Sequence, residues 1–201
     1  MVKALGLGAP HAPEPTPLDP DEAAGLIPGH ISTQSELNEW EQANILEAGR
    51  WLKHPARKRE DVLSERFVRE LHKRMFHRTW KWAGTFRRSD KNIGIDWRQI
   101  GVKLRDLLDD VKYQLEHETY PVDEIATRFH HRLVSIHPFP NGNGRHARMM
   151  TDALLAKLGV AGFSWGRADI VSTVATREAY LAALYTADAG NIAPLLAFVR
   201  S

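Results

Sequence analysis

One stretch of the chain holds residue types at a spacing that could do chemistry: Ile136-His137-Pro138-Phe139-Pro140-Asn141-Gly142-Asn143-Gly144-Arg145-His146-Ala147-Arg148. It reads as a loop that turns into the first turn of a helix. Gly142 and Gly144 carry no side chain to keep a ligand away from the backbone. From Arg145 to Leu158 helix propensity is good, with no Pro or Gly before Gly159, so a helix with a glycine stop is predicted there. The loop therefore brings free amides to a helix N-terminus, a ready anion site. Arg145 and Arg148, three residues apart, are expected on one face of that turn. Two guanidiniums beside a glycine cradle fit a polyphosphate better than a single carboxylate. His137 is the side chain here whose unperturbed pKa lies near neutrality. The partly positive helix N-terminus is expected to favour its neutral form, which can take the proton of a hydroxyl attacking phosphorus. Pro138 and Phe139 are expected to shape and anchor the loop, and the Asn143 side chain to add a donor to the cradle. A lone His before Pro is more often structural, and Arg148 could instead pair with Asp152. Base, cradle and arginines together favour group transfer from a nucleotide to a hydroxyl.

The same stretch resembles the Fic family signature, HPFx(D/E)GNGRxxR, at His137, Pro138, Phe139, Gly142, Asn143, Gly144, Arg145 and Arg148. The resemblance implies a protein adenylyltransferase. It would bind ATP with Mg²⁺, move AMP to a Ser, Thr or Tyr hydroxyl of a target protein and release pyrophosphate. His137 would be the base, and Gly142, Asn143, Gly144, Arg145 and Arg148 would hold the phosphates. Asn141 stands where the family usually has an acid. It is the candidate metal ligand, but an amide oxygen brings no charge, whereas Mg²⁺ usually takes one or two carboxylates plus phosphate oxygens. Two alternatives stay open: a relative that moves another phosphate-containing group, and a catalytically weak nucleotide-binding or DNA-associated regulator of a mobile element. The Pro-Asn-Gly-Asn-Gly-Arg-His-Ala-Arg form also resembles the bacterial subgroup called mobile mystery protein B. That implies a small helix-turn-helix protein as neighbour.

Trp80-Lys81-Trp82-Ala83-Gly84-Thr85-Phe86-Arg87, followed by Arg88 to Ile95, reads as two short β-prone pieces around Ser-Asp-Lys-Asn turn chemistry, so a hairpin is expected. The WAG-x-x-R segment is similar to Fic proteins. In that family the hairpin is a flap that lays the target against the active site by strand addition. By resemblance Asn92, Ile93 and Gly94 are the flap residues. The tryptophans are expected in the core.

Other elements must position these residues. Thr33-Gln34-Ser35-Glu36 is a capping box that starts a helix near Thr33 and runs to before Pro55. Its apolar face is expected at Leu37, Trp40, Ala43, Ile45, Leu46 and Trp51. Ser35 to Glu39 resembles the start of the family's inhibitory helix, (S/T)xxxE(G/N), whose Glu pairs with the second signature arginine, but Trp40 departs from it. An ordinary packing helix is the preferred reading. Helices are also predicted over Ser64–Phe76, Val102–His117, Asp123–Ser135, Arg177–Ala187 and Ile192–Val199. Arg66, Arg69, Lys73 and Arg74 alternate with Glu65 and Glu70, which reads as a solvated face rather than a nucleic-acid surface. The fold expected is mainly α: a Fic-type helical bundle with a small β-hairpin flap. Residues 1–30 form a proline-rich N-terminal arm. Residues 31–201 form the Fic domain, with its core at about 64–201 and a candidate regulatory helix over 33–53.

Composition closes off several classes. The 201 residues include no cysteine, so there is no disulfide framework and no thiolate metal site. There is no apolar run long enough to span a bilayer and no secretory leader pattern, so a cytoplasmic location is expected. A net charge of +2 is too balanced to argue for direct nucleic-acid binding. His130, His131, His137 and His146 cluster in sequence, but without H-E-x-x-H a zinc hydrolase is not the expected reading.

Overall fold

The computed structural model describes residues 25–31, 33–55, 59–166 and 173–201. Local sequence signals set the helix starts. At α1 (Gln34–Leu52) the Thr33 hydroxyl accepts the Glu36 N–H at 3.3 Å, and the Glu36 carboxylate accepts the Thr33 N–H at 3.1 Å. Two orphan donors are thereby satisfied reciprocally. Ser64 caps α2 (Glu65–Phe76) by accepting the Phe67 N–H at 3.3 Å. A 3₁₀ turn at Trp97–Gln99 runs into α3 (Ile100–Glu116), and Pro121 precedes α4 (Val122–Ile136). The chain continues through α5 (Asn143–Lys157), α6 (Thr173–Asp188) and α7 (Ala193–Arg200). α5 starts two residues ahead of the predicted Arg145, because Gly142 takes a left-handed φ of 79° and serves as the N-cap.

α4 packs against α3, α5 and α7, while α2 lies between α1 and α5. The signature loop thus joins the two helices at the centre of the bundle. Leu71, Met75, Phe76, Leu104, Leu107, Phe129, Leu133, Phe139, Met150 and Leu195 are buried around it. The apolar stripe of α2 carries one polar residue, His72, which is also buried. On its outer face Arg66 pairs with Glu60, Arg69 with Glu65 and Arg74 with Glu70, the solvated face expected from sequence. The α1 stripe is narrower than expected: Leu37 is buried, whereas Trp40 is 42% and Leu46 59% exposed.

The expected hairpin is not found; among the described residues 88–96 form bends without strands. Its two arms are not joined by a ladder. They converge on the Arg87 side chain, which donates to the carbonyls of Ser89 (2.8 Å) and Ile95, while Asp90 accepts the Trp97 N–H at 3.2 Å. Side-chain bonds inside the loop replace the cross-strand pairs. One β-pairing among the described residues lies elsewhere, an isolated antiparallel bridge between Leu26 and Trp80. It lets the end of the N-terminal arm pack on the domain, through Ile27 N–H to Thr79 O (2.8 Å) and Lys81 N–H to Gly25 O (2.9 Å). The proline-rich part of the arm, residues 1–24, lies outside the described residues. Trp80 is buried and Trp82 stacks on it at 4.7 Å, as expected of core tryptophans. Among the described residues no helix is long and apolar enough to cross a membrane.

Candidate active site

His137 closes α4 as its C-cap, with a left-handed backbone at φ 51° and ψ 61°. Such a conformation is uncommon outside glycine, though His adopts it more readily than most residues. It turns the chain sharply out of the helix and into the loop. Burial pushes the His137 pKa down to about 4, and the positive charges of Arg87 and Lys91 push in the same direction. The sequence reading attributed a neutral imidazole to a helix N-terminus. The imidazole is neutral, but for another reason: His137 sits at a helix C-terminus, whose partial negative charge would favour the imidazolium, and burial with Arg87 overrides it.

Phe139 anchors the loop as expected, fully buried and stacked on His72 with ring centroids 3.7 Å apart. His72 Nδ1 accepts the Gly84 N–H at 3.0 Å, which leaves Nε2–H to donate to the Asn141 carbonyl at 3.1 Å. Burial holds this ring neutral, with its pKa well below the usual histidine range. One imidazole thereby ties the WAG turn to the loop. Asn143 corrects an expectation. Its amide donates to Phe139 O at 2.8 Å, and its carbonyl accepts Phe139 N–H at 2.9 Å. The side chain staples the loop instead of facing a ligand, so Asn143 can offer an anion its backbone N–H only.

The two glycines differ. A Cβ on Gly142 would lie 2.5 Å from the Phe76 ring, so this glycine answers to packing. A Cβ on Gly144 would meet only open space, so the backbone there is open to a ligand. Asn143, Gly144 and Arg145 precede the first intrahelical N–H, that of His146 to Gly142 O at 2.9 Å, and their amides are the orphan donors of α5.

Arg145 and Arg148 diverge rather than sharing one set of partners. Arg145 lies over the Phe76 ring at 5.2 Å and pairs with Glu41 at 2.5 Å. Glu41 is 0% exposed, and its other oxygen accepts the Trp80 indole N–H at 2.6 Å. The α1 carboxylate that reaches the signature is therefore Glu41, and the arginine it meets is the first one. Glu39 is exposed, and Glu36 is spent in the cap. Arg148 lies 4.4 Å over Tyr180 and 5.5 Å from Trp165, a cation–π seat supplied by the C-terminal part of the chain. His130 Nε2 lies 2.8 Å from the Tyr180 hydroxyl. Burial pushes Tyr180 up to about 12 and His130 down to about 3, so both are neutral at physiological pH. Asp152 accepts from the Trp165 indole at 3.2 Å and from the Phe163 N–H, also at 3.2 Å.

The bend over the site brings Gly94 against His137: a Cβ on Gly94 would lie 2.7 Å from the His137 Cβ. Asn92 is exposed beside it and Ile93 half-buried. The four clustered histidines do not converge. His130 meets Tyr180, His131 meets Asp188, and His146 donates to Val68 O at 2.9 Å. Among the described residues no group of three or more His, Asp or Glu could hold a metal ion. Asn141 is half-buried, with its carbonyl engaged by His72. Sequence reasoning missed the roles of His72, Arg87 and Tyr180. A polar residue inside the apolar stripe of α2 was a usable signal for His72; Arg87 closes the WAG-x-x-R segment, but its partner His137 lies 50 positions away, as does the Tyr180 partner His130.

A helical domain with a neutral, half-buried histidine one short loop before an open helix N-terminus, and with two aromatic-seated arginines, is of the class that can set a base near an anionic ligand. The comparisons narrow this. Residues 62–155, a little under half of the chain, match the family model described as Fic/DOC family. The protein adenylyltransferase fic-1 of Caenorhabditis elegans is 27% identical over 149 residues, covering 71% of this chain and 27% of that protein. Protein adenylyltransferase Fic of Nematostella vectensis is 38% identical over 76 residues, 38% of this chain and 16% of that one. The chain thus spans about a quarter or less of the length of these relatives. A solved Fic-1 structure from C. elegans superposes with a TM-score of 0.65 at 25% identity, covering 89% of this chain and 51% of that one. BepC of Bartonella tribocorum, solved with bound AMPPNP, superposes at a TM-score of 0.63 and 19% identity, over 89% of this chain and 95% of that one.

Proposed function

We propose that this chain is a protein adenylyltransferase that moves AMP from ATP to a side-chain hydroxyl of a target protein. The observation that carries the reading is the half-buried, neutral His137 one short loop away from the open backbone at Gly144. The target hydroxyl attacks the α-phosphorus and gives its proton to His137. The bond from that phosphorus to the bridging oxygen breaks, and pyrophosphate leaves. Such transfers depend mainly on positioning and on charge stabilisation. The amides of Asn143, Gly144 and Arg145, with the Arg145 and Arg148 guanidiniums, supply both. The curated relatives' names support the same reading.

Mg²⁺ belongs to this proposal as an ion carried in on the nucleotide's phosphates. The chemistry of the donor fits that role: Asn141 would add a hard but uncharged amide oxygen to the phosphate oxygens that hold the ion. The ion would neutralise charge on the phosphates. Asn92, Ile93 and Gly94 would lie along the target segment, which docks on a bent loop rather than a strand edge. The partner is a protein bearing a Ser, Thr or Tyr hydroxyl. The resemblance to mobile mystery protein B adds a bacterial origin, a cytoplasmic location and a small helix-turn-helix neighbour to the proposal. The division into an arm over 1–30 and a Fic domain over 31–201 belongs to it as well.

The test is parallel incubation with α-labelled and γ-labelled ATP, Mg²⁺ and cell lysate, for wild type and His137→Ala. Protein label from the α-phosphate only, lost in the variant, is expected. Label from γ only would replace AMP transfer with phosphate transfer. A DNA-associated role is disfavoured by the ion pairs that occupy Arg66, Arg69 and Arg74. A salt-dependent DNA mobility shift would reverse that judgement.

A further inference from the structure

We propose that Arg87 is a positioning residue: its single guanidinium locks the bend over the site onto the His137 turn, so that base and flap are held as one unit. The consequence for catalysis rests on the reading of His137 as the base; the clamp itself does not.

Arg87 is 3% exposed, and each arm of its fork is engaged. Nε donates to His137 O at 2.7 Å, and one terminal nitrogen donates to Ser89 O at 2.8 Å. The other donates to Ile95 O and reaches Ile136 O at 3.5 Å. The Arg87 backbone N–H adds a bond to Pro138 O at 2.9 Å. Three successive carbonyls, those of Ile136, His137 and Pro138, thus face one residue, and two more come from either side of the flap. The last carbonyls of α4 have no helical partner, and a cation at a helix C-terminus is electrostatically favoured. The planar fork can span carbonyls on two separate loops, which a lysine ammonium cannot.

Gly94 shows how close the two loops lie. A Cβ there would come within 2.7 Å of the His137 Cβ and 2.9 Å of the Arg87 guanidinium. The charge acts on the base too: Arg87, after burial and ahead of Lys91, holds the imidazole neutral. Asp90, 3.8 Å away, and Asp96 face the guanidinium and partly offset its charge. Removing the cation removes both the geometric and the electrostatic support, whereas Arg87→Lys removes chiefly the first.

Three measurements on the full chain separate these effects: His137 titration by NMR, hydrogen exchange of residues 88–96, and AMP transfer. Arg87→Gln is expected to raise the His137 pKa, speed exchange in the bend and lower transfer at least about tenfold. Arg87→Lys is expected to leave the titration near its wild-type position, yet speed exchange and lower transfer. Should Arg87→Gln fail to fold, Gly94→Ala decides. It pushes the bend away while keeping the charge, so it is expected to match the lysine variant. An unchanged titration and unchanged exchange in folded Arg87→Gln would overturn the clamp, as would unchanged exchange in Gly94→Ala where Gln does not fold. If wild type transfers no AMP while the titration and exchange shifts appear, the clamp stands and the adenylyltransferase reading falls.

Discussion

Gly142 and Phe76 meet so closely that the position tolerates no side chain. A methyl there would sit 2.5 Å from the ring, on a backbone already at φ 79°. Gly142→Ala is expected to cost roughly 2–3 kcal/mol, from overpacking together with left-handed strain, read as a lowered urea midpoint. Its effect on nucleotide affinity should follow from loop displacement, since Gly144 is the glycine with open space. At His137 the expectation concerns pH. With its pKa near 4, the imidazole remains a competent base through pH 5–8. On that limb the transfer rate should stay flat down to about pH 5 and fall to half near pH 4, measured at fixed ATP and target. The residue types at this site were legible because the signature is local. The causes of the low pKa were not, because burial comes from packing and the second contributor, Arg87, lies 50 positions away in sequence.

α1 was legible as a helix from its capping box, and the structure adds what that helix does. Its Glu41 is a fully buried carboxylate held between the Trp80 indole and Arg145. Glu41→Ala would leave a buried N–H and a guanidinium without this partner, and a loss of about 3 kcal/mol is expected, visible as a lower Tm. Glu41→Gln keeps an acceptor for the indole and should cost less. The match to Ser35–Glu39 pointed at Glu39 and the second arginine. Helical phase decides otherwise, because Glu41 faces α2 and the loop while Glu39 faces solvent. The hairpin expectation failed for a similar reason. Turn chemistry at Ser89-Asp90-Lys91-Asn92 was real, but Arg87 captured the carbonyls that a ladder would have used.

At the scale of the whole molecule, four histidines among the described residues are held neutral chiefly by burial: His72, His130, His137 and His146. Unfolded, each would titrate near the ordinary value of 6.5; folded, His146 and His137 are pushed down to about 4 and His130 to about 3. Between these limits the unfolded chain binds more protons than the folded one. Stability is therefore fully present above about pH 6.5 and falls as the pH drops toward 4. A fully buried histidine shifted this far contributes on the order of 3 kcal/mol to the loss. The urea midpoint is expected to drop steeply between pH 6.5 and 4.5, well before most carboxylates protonate. A midpoint unchanged to pH 5 would contradict it.

The sequence by itself determined the helices, their caps and the composition of the central loop, since apolar periodicity, capping residues and a contiguous motif all act over a few positions. The tertiary structure decided what each polar group in that loop touches. His72 meets Asn141 across 69 positions, Arg87 meets His137 across 50, and Trp80 meets Glu41 across 39. Contacts at such separations leave no period in the chain. They form only once packing has taken water away from the groups involved, and a buried donor or acceptor then has to find its partner within the fold.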